Sequence, residues 1–148
     1  PYSMQVSDES TSLIAGLNIS KNTENWSYGV QITFKNKIDD KEWSYGNGFT
    51  LNGWAGKNLS DSIWGSIRLS YADIDSIDGR DMRIMAPVQT ANPKNYGGSN
   101  YKLSFGLNKR LSNGDNLDFE LSIPFEQKLN GPQMEEDLTL TLGYKKGF

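Results

Sequence analysis

Apolar and polar residues alternate with a period of two along most of this chain. Leu13, Ala15, Leu17 and Ile19 interleave with Gly16, Asn18 and Ser20, and Trp26, Tyr28, Val30, Ile32 and Phe34 with Ser27, Gly29, Gln31, Thr33 and Lys35. Phe49, Leu51, Gly53 and Ala55 follow more weakly, against Thr50, Asn52 and Trp54. Ile63 to Tyr71, Tyr101 to Leu107, Leu117 to Phe125 and Leu138 to Tyr144 repeat the pattern. Successive side chains of a strand point to opposite faces, so each segment predicts a strand with one apolar and one polar face. No segment longer than one turn keeps helical periodicity. Seven strands are predicted.

The connections between these segments also alternate in length. Lys21 to Asn25, Lys57 to Ser62 and Leu111 to Asn116 are short and rich in Asn, Ser, Asp and Gly, the chemistry of tight turns. Asn36 to Ser44, Ala72 to Asn100 and Gln127 to Glu136 are longer. Short turns at one end and long loops at the other is the layout of outer-membrane barrels, with turns in the periplasm and loops outside the cell. Aromatic residues fall near both strand ends: Trp26, Tyr28, Tyr144 and Phe148 at one, Phe34, Phe49, Tyr71, Tyr101 and Phe125 at the other. They predict two girdles at the two membrane interfaces. Leu140, Leu142, Tyr144 and the final Phe148 share one parity and read as a membrane-insertion signature, with the C-terminus in the periplasm.

The reading is therefore an all-β fold, an antiparallel transmembrane up-and-down β-barrel in the outer membrane of a Gram-negative bacterium. Residues 1–148 form a single barrel domain. Single-chain bacterial barrels have an even number of strands, at least eight, so seven leaves two open edges. The missing edge comes from residues 2–7, from other chains, or from strands ahead of Pro1; the last is preferred, making this the C-terminal portion of a longer barrel. The alternative fold is a soluble antiparallel β-sandwich, which also alternates and also uses aromatics.

Composition changes this picture in two ways. Only 36% of the chain is hydrophobic and mean hydropathy is -0.61, with no run near the roughly 18 apolar residues of a membrane helix. A barrel strand needs only alternate apolar positions, so membrane spanning by strands stays open. There is also neither Cys nor His. Disulfides, thiolate metal sites, Ser-His-Asp chemistry and His general bases are excluded. A net charge of -3 argues against a nucleic-acid partner. No enzyme activity, cofactor or metal is expected.

Several segments resemble a known family. They are Pro1-Tyr-Ser-Met-Gln5, Trp26-Ser-Tyr-Gly29, Tyr45 to Trp54, Asp78-Gly-Arg-Asp81, Ala86 to Pro93, Asn95-Tyr-Gly-Gly98, Leu129-Asn-Gly-Pro-Gln133 and Asp137 to Tyr144. Together they are similar to the C-terminal half of outer-membrane transporter-like β-barrels of the MetA-pathway phenol-degradation family. The resemblance spans nearly the whole chain. It implies more strands upstream and the uptake of small hydrophobic or aromatic molecules.

Candidate chemistry sits on the polar parity and in the longest loop. Lys35, Arg68, Lys102, Asp118, Glu120 and Glu126, with Asp137 and Lys145, face the predicted lumen. They either set the selectivity of a pore or satisfy one another in a filled barrel. Arg68 and Glu120 are singled out as mid-strand and inward-facing. Trp54 and Trp64 share that parity and form either an aromatic lumen surface or core packing. Asp118 and Glu120 are paired carboxylates, read as lumen charges because no nucleophile or partner base accompanies them. Asp73, Asp75, Asp78 and Asp81 approximate a calcium loop, but the register is broken by one residue and no bidentate Glu follows. The outer loop also carries Met82, Met85 and Tyr96, and either folds into the barrel mouth or packs on neighbouring loops. The expected function is passive passage or binding of small, hydrophobic or aromatic molecules. The alternatives are a non-conducting structural or scaffold barrel and a soluble sandwich binding module. Expected partners are the lipid bilayer, the barrel-assembly machinery, small hydrophobic solutes and other chains completing the barrel.

Overall fold

The alternation is realised as strands longer than the periodicity alone marks. The computed structural model describes residues 2–147. Its strands are β1 (Ser12–Asn22), β2 (Trp26–Lys37), β3 (Trp43–Ser44), β4 (Gly48–Ser60), β5 (Ile63–Ile74), β6 (Asp78–Gly79), β7 (Gly98–Arg110), β8 (Asn116–Leu129) and β9 (Thr139–Lys145). Three short 3-10 turns, at Tyr2–Met4, Gln89–Ala91 and Pro93–Asn95, complete it.

Seven of the strands form one meander in the order β1-β2-β4-β5-β7-β8-β9, every pair antiparallel. These are the seven strands expected from the pattern. β3 and β6, both inside long connections, form a separate two-stranded ribbon. The sheet does not close on itself: β1 and β9 are its two edges. Residues 2–7 do not supply a further strand. Tyr2–Met4 forms a 3-10 turn instead, and Tyr2 is fully buried.

Register keeps the two faces apart across the sheet. One row joins Ile19, Val30, Gly53, Leu69, Leu103 and Ile123. The row beside it on the opposite face joins Ser20, Gly29, Trp54, Arg68, Ser104, Ser122 and Thr139. A one-residue slip anywhere would exchange the faces, so the pattern itself fixes the pairing.

What covers the apolar face decides how the sheet is to be understood. Among the described residues the buried apolar side chains are Tyr2, Trp43, Ile77, Ile84 and Ala91, all in or beside the long connections. None lies in the seven-stranded sheet. Leu17, Ile19, Val30, Leu69, Leu107, Leu140 and Leu142 are all exposed. A sandwich needs a second sheet over this face, and the only other sheet among the described residues is the small β3–β6 ribbon. The accessible surface is 10278 Å², whereas a folded monomer of 16.6 kDa ordinarily exposes about 7,600 Å².

Candidate functional site

The polar face carries a trough because glycines lower its floor. Gly29, Gly56 and Gly106 all have polar-face parity. A Cβ on Gly29 would lie 2.6 Å from Trp54 Cζ2, and one on Gly56 2.6 Å from Trp64 Nε1. Both indoles thus rest against bare backbone on the neighbouring strand. The resulting space, about 450 Å³, is lined by Asn18, Ser27, Gln31, Asn52, Trp54, Trp64, Ser66, Arg68, Ser104 and Glu120, among others.

Arg68 and Glu120, on β5 and β8, meet across Gly106 on the intervening β7. The guanidinium Nη2 donates to Glu120 Oε2 in a charge-assisted hydrogen bond. The Ser122 hydroxyl donates to the other carboxylate oxygen at 3.4 Å, and the Ser104 and Ser122 hydroxyls are 2.7 Å apart. Asp118 lies on the same face but takes a different partner, the Asn108 side-chain amide. The two carboxylates are thus held by different groups, a cation and a neutral amide. Lys35 lies on this face opposite Gly48 and Ile14.

Lys102 is also on the polar face, and its ammonium donates to Glu136 in the β8–β9 connection. That ammonium, together with the Thr139 hydroxyl, holds the Glu136 carboxyl below the usual carboxylate range. Glu136 was not among the candidates; nothing in the sequence distinguishes it from Glu135 beside it.

Glu126 is on the other face from the one its parity predicts. Between Tyr101 and Lys102 the β7–β8 register shifts: Tyr101 pairs with Glu126, and Lys102 with Pro124. The extra residue, Phe125, makes a β-bulge, beyond which the alternation is inverted. Glu126 therefore stands beside the tyrosines and pairs with Lys128 at 2.7 Å.

At the loop end the apolar face bears a continuous row of rings. Phe34, Phe49, Tyr71, Tyr101 and Phe125 follow one another across five adjacent strands, at centroid distances of 5.1, 6.1, 4.5 and 5.8 Å. At the turn end stand Trp26, Tyr28 and Tyr144, with the Lys57 ammonium 5.3 Å from the Trp26 ring centre. Leu140, Leu142 and Tyr144 pair with Leu121, Phe119 and Leu117, all on the apolar face. Phe148 lies outside the described residues.

The long loop packs on its neighbours and also roofs the polar face. Tyr2, Trp43, Ile77, Ile84 and Ala91 form a core joined by Tyr45 and Tyr96. The Tyr2 ring meets Trp43 edge-on at 4.9 Å and Tyr96 at 5.9 Å. Tyr2 Oη accepts the Asp81 backbone N–H at 2.9 Å, and Tyr45 Oη donates to the Tyr2 carbonyl at 2.8 Å. Below this core, a space of about 430 Å³ separates Tyr45, Ile77 and Tyr96 from the polar-face residues Ala72, Asn100 and Lys102. Ile84, not the exposed Met82 and Met85, anchors the loop.

Three of the loop aspartates take different partners. Asp73 accepts from the Tyr71 hydroxyl, Asp78 pairs with Lys37 at 2.7 Å, and Asp81 is buried and pairs with Arg83 at 2.9 Å. Asp75 lines a polar cavity of about 620 Å³ that Asp73, Asp78 and Lys37 also line. Among the described residues no three acidic side chains converge as a metal site requires. Hydrogen bonds from Arg83, through its side chain and its backbone N–H, hold the Asp81 carboxyl below its usual range.

Compared with protein-family models, with curated proteins and with solved structures, the chain has no match.

Proposed function

We propose that this sheet is part of an outer-membrane β-barrel whose polar face lines a path or a binding site for small solutes. The observation that carries the reading is the uncovered apolar face. Seven paired strands present Leu, Ile, Val and Phe outward, with aromatic residues at both ends and polar residues on the opposite face. In water such a face drives association; in a bilayer it is already solvated. From Leu117 to Phe125 the apolar side of β8 advances roughly 27 Å along the strand, or about 21 Å along the membrane normal at a tilt near 40°. The hydrocarbon-facing band of such barrels is about 25 Å tall. The orientation proposed puts the short turns and the C-terminus in the periplasm and the capped loops outside. The family resemblance adds hydrophobic or aromatic solutes as the cargo, resting on the quoted motifs alone.

Two measurements test this. After detergent extraction the folded chain should run on a gel at a different position before and after boiling; recovery as a soluble monomer in plain buffer overturns the membrane reading. In a planar bilayer the assembled barrel should give discrete conductance steps. A folded but silent barrel favours a non-conducting scaffold, for which the neutralised Arg68–Glu120 and Lys102–Glu136 pairs are the structural argument.

A further inference from the structure

The polar trough has a chemical character narrower than that of a general pore lining. Asn18, Gln31 and Asn52 stand side by side in one cross-strand row of β1, β2 and β4. All three line the trough. Among the described residues none of these side-chain amides has a hydrogen-bond partner, although neighbouring polar groups such as Ser104 and Ser122 are paired. Each amide offers two donors and an acceptor. Two residues along β4 on the same face, the Trp54 indole approaches the bare backbone of Gly29 and lines the trough. The charges there cancel: Arg68 and Glu120 are bound to each other.

We propose that this trough binds a neutral polyhydroxylated ring, a saccharide. The proposal rests on the polar face being solute-accessible, and for this trough it replaces the hydrophobic or aromatic cargo that the motifs suggest with a polar one. A hydroxyl both donates and accepts, as an amide does, so adjacent hydroxyls match adjacent amides along the row. The C–H faces of a sugar ring carry slight positive charge and suit the electron-rich face of an indole. The internally paired Arg68 and Glu120 give no net attraction to an ion of either sign. A purely aromatic solute would fill the space over Trp54 while stripping water from the amide row and giving nothing back. Leaving such groups unpaired opposes binding. The volume, about 450 Å³, lies in the range of small-molecule sites.

The test uses the full chain folded in a zwitterionic detergent without a sugar headgroup, titrated with methyl glucoside and with maltose. Tryptophan fluorescence should change saturably, with half-saturation in the millimolar range. N52A, and N52A with Q31A, should weaken binding tenfold or more. W54A should weaken binding and diminish the fluorescence response, Trp64 being the other indole of the trough, and W26F, on the opposite face of the sheet, should retain both. Circular dichroism of each variant checks that the sheet has formed; N52A, with its small change on an open face, is the variant least able to disturb it. Absence of saturable binding by the folded chain up to about 100 mM sugar overturns the proposal. So does saturable binding of phenol or indole, competing at Trp54, without any of sugar. Heat-modifiable migration reports on the membrane reading separately, so either can fail without the other.

Discussion

A methyl group added at Gly29 would meet the Trp54 ring at 2.6 Å and the Ile19 carbonyl oxygen at 2.7 Å, and the second of these is backbone and cannot swing aside. At Gly53, one strand over and on the apolar face, the same methyl group meets nothing within 4 Å. G29A is therefore expected to destabilise the sheet by about 1–3 kcal/mol and to displace Trp54. G53A should be neutral, or stabilising by up to about 1 kcal/mol. Urea unfolding of the two variants in the same detergent, followed by tryptophan fluorescence, checks the contrast. The Arg68–Glu120 pair calls for a different measurement. Its side chains are 40% and 33% exposed, so solvent screens it and its coupling should not exceed about 1 kcal/mol. Its consequence for a pore is larger, since removing one partner unmasks the other. In reversal-potential recordings R68A should move selectivity toward cations, E120Q toward anions, and the double variant back to the original value. If all three leave the potential unchanged, the pair only braces the sheet.

The long connections behave as one element with a small core of their own. Tyr2 is its centre: fully buried, in ring contact with Trp43 and Tyr96, and bonded through its hydroxyl to the Asp81 backbone. Y2A should cost the loop cluster about 3–5 kcal/mol while leaving the sheet paired, so limited proteolysis should cut between residues 80 and 92 before any strand. Acid should act on the same cluster. The Asp81 carboxyl is held below its usual range by Arg83, and Asp8, despite burial, by backbone N–H groups of Tyr45 and Ser10. A depressed folded value means the stabilisation is complete above the ordinary aspartate value, about pH 4. It is lost as pH falls through the folded values. Protease resistance of this loop should therefore be flat from pH 7 to about 5 and fall below about pH 4. Such a loss at neutral pH on deprotonation would contradict the assignment. The seven strands were legible because alternation over many residues is redundant: Leu117 to Phe125 declares its faces several times over. The loop core was not, because Tyr2, Trp43, Ile77 and Ile84 lie far apart in sequence and follow no period. Only folding brings them together, and the Met82 and Met85 that drew attention by hydrophobicity remain in solvent. Glu126 was misplaced for a related reason. Parity counts residues, and a single bulged residue, Phe125, invalidates the count from that point on. The Arg68–Glu120 pair was half legible, since parity put both on one face but could not give the register that makes them meet.

At the scale of the whole sheet, strand direction constrains what completes it. β1 leads into the short turn at 23–25, and β9 follows the long connection at 130–138. Both edges therefore run from the loop end to the turn end, parallel to each other. If two copies of this sheet stood in a membrane with their loops on the same side, β9 of one would meet β1 of the other in parallel, at two seams. An arrangement in which every seam is antiparallel needs an odd number of strands between these edges. Added to the seven here, it gives the even total usual in bacterial single-chain barrels. If the sheet lies in a bilayer as proposed, its open edges supply the drive, because unpaired backbone groups in hydrocarbon cost several kcal/mol each. A second copy of this chain is thus the wrong shape to close the proposed barrel with antiparallel seams alone, and a segment contributing an odd number of strands is the right one. The natural absence of cysteine makes this directly testable. With Asn18→Cys on β1 and Thr141→Cys on β9, oxidation of the folded chain in lipid should give no disulfide-linked dimer on a non-reducing gel. A dimer that forms in the folded state and disappears on reduction would mean that copies do join edge to edge. The odd-strand argument would then fail at its premise that all seams are antiparallel.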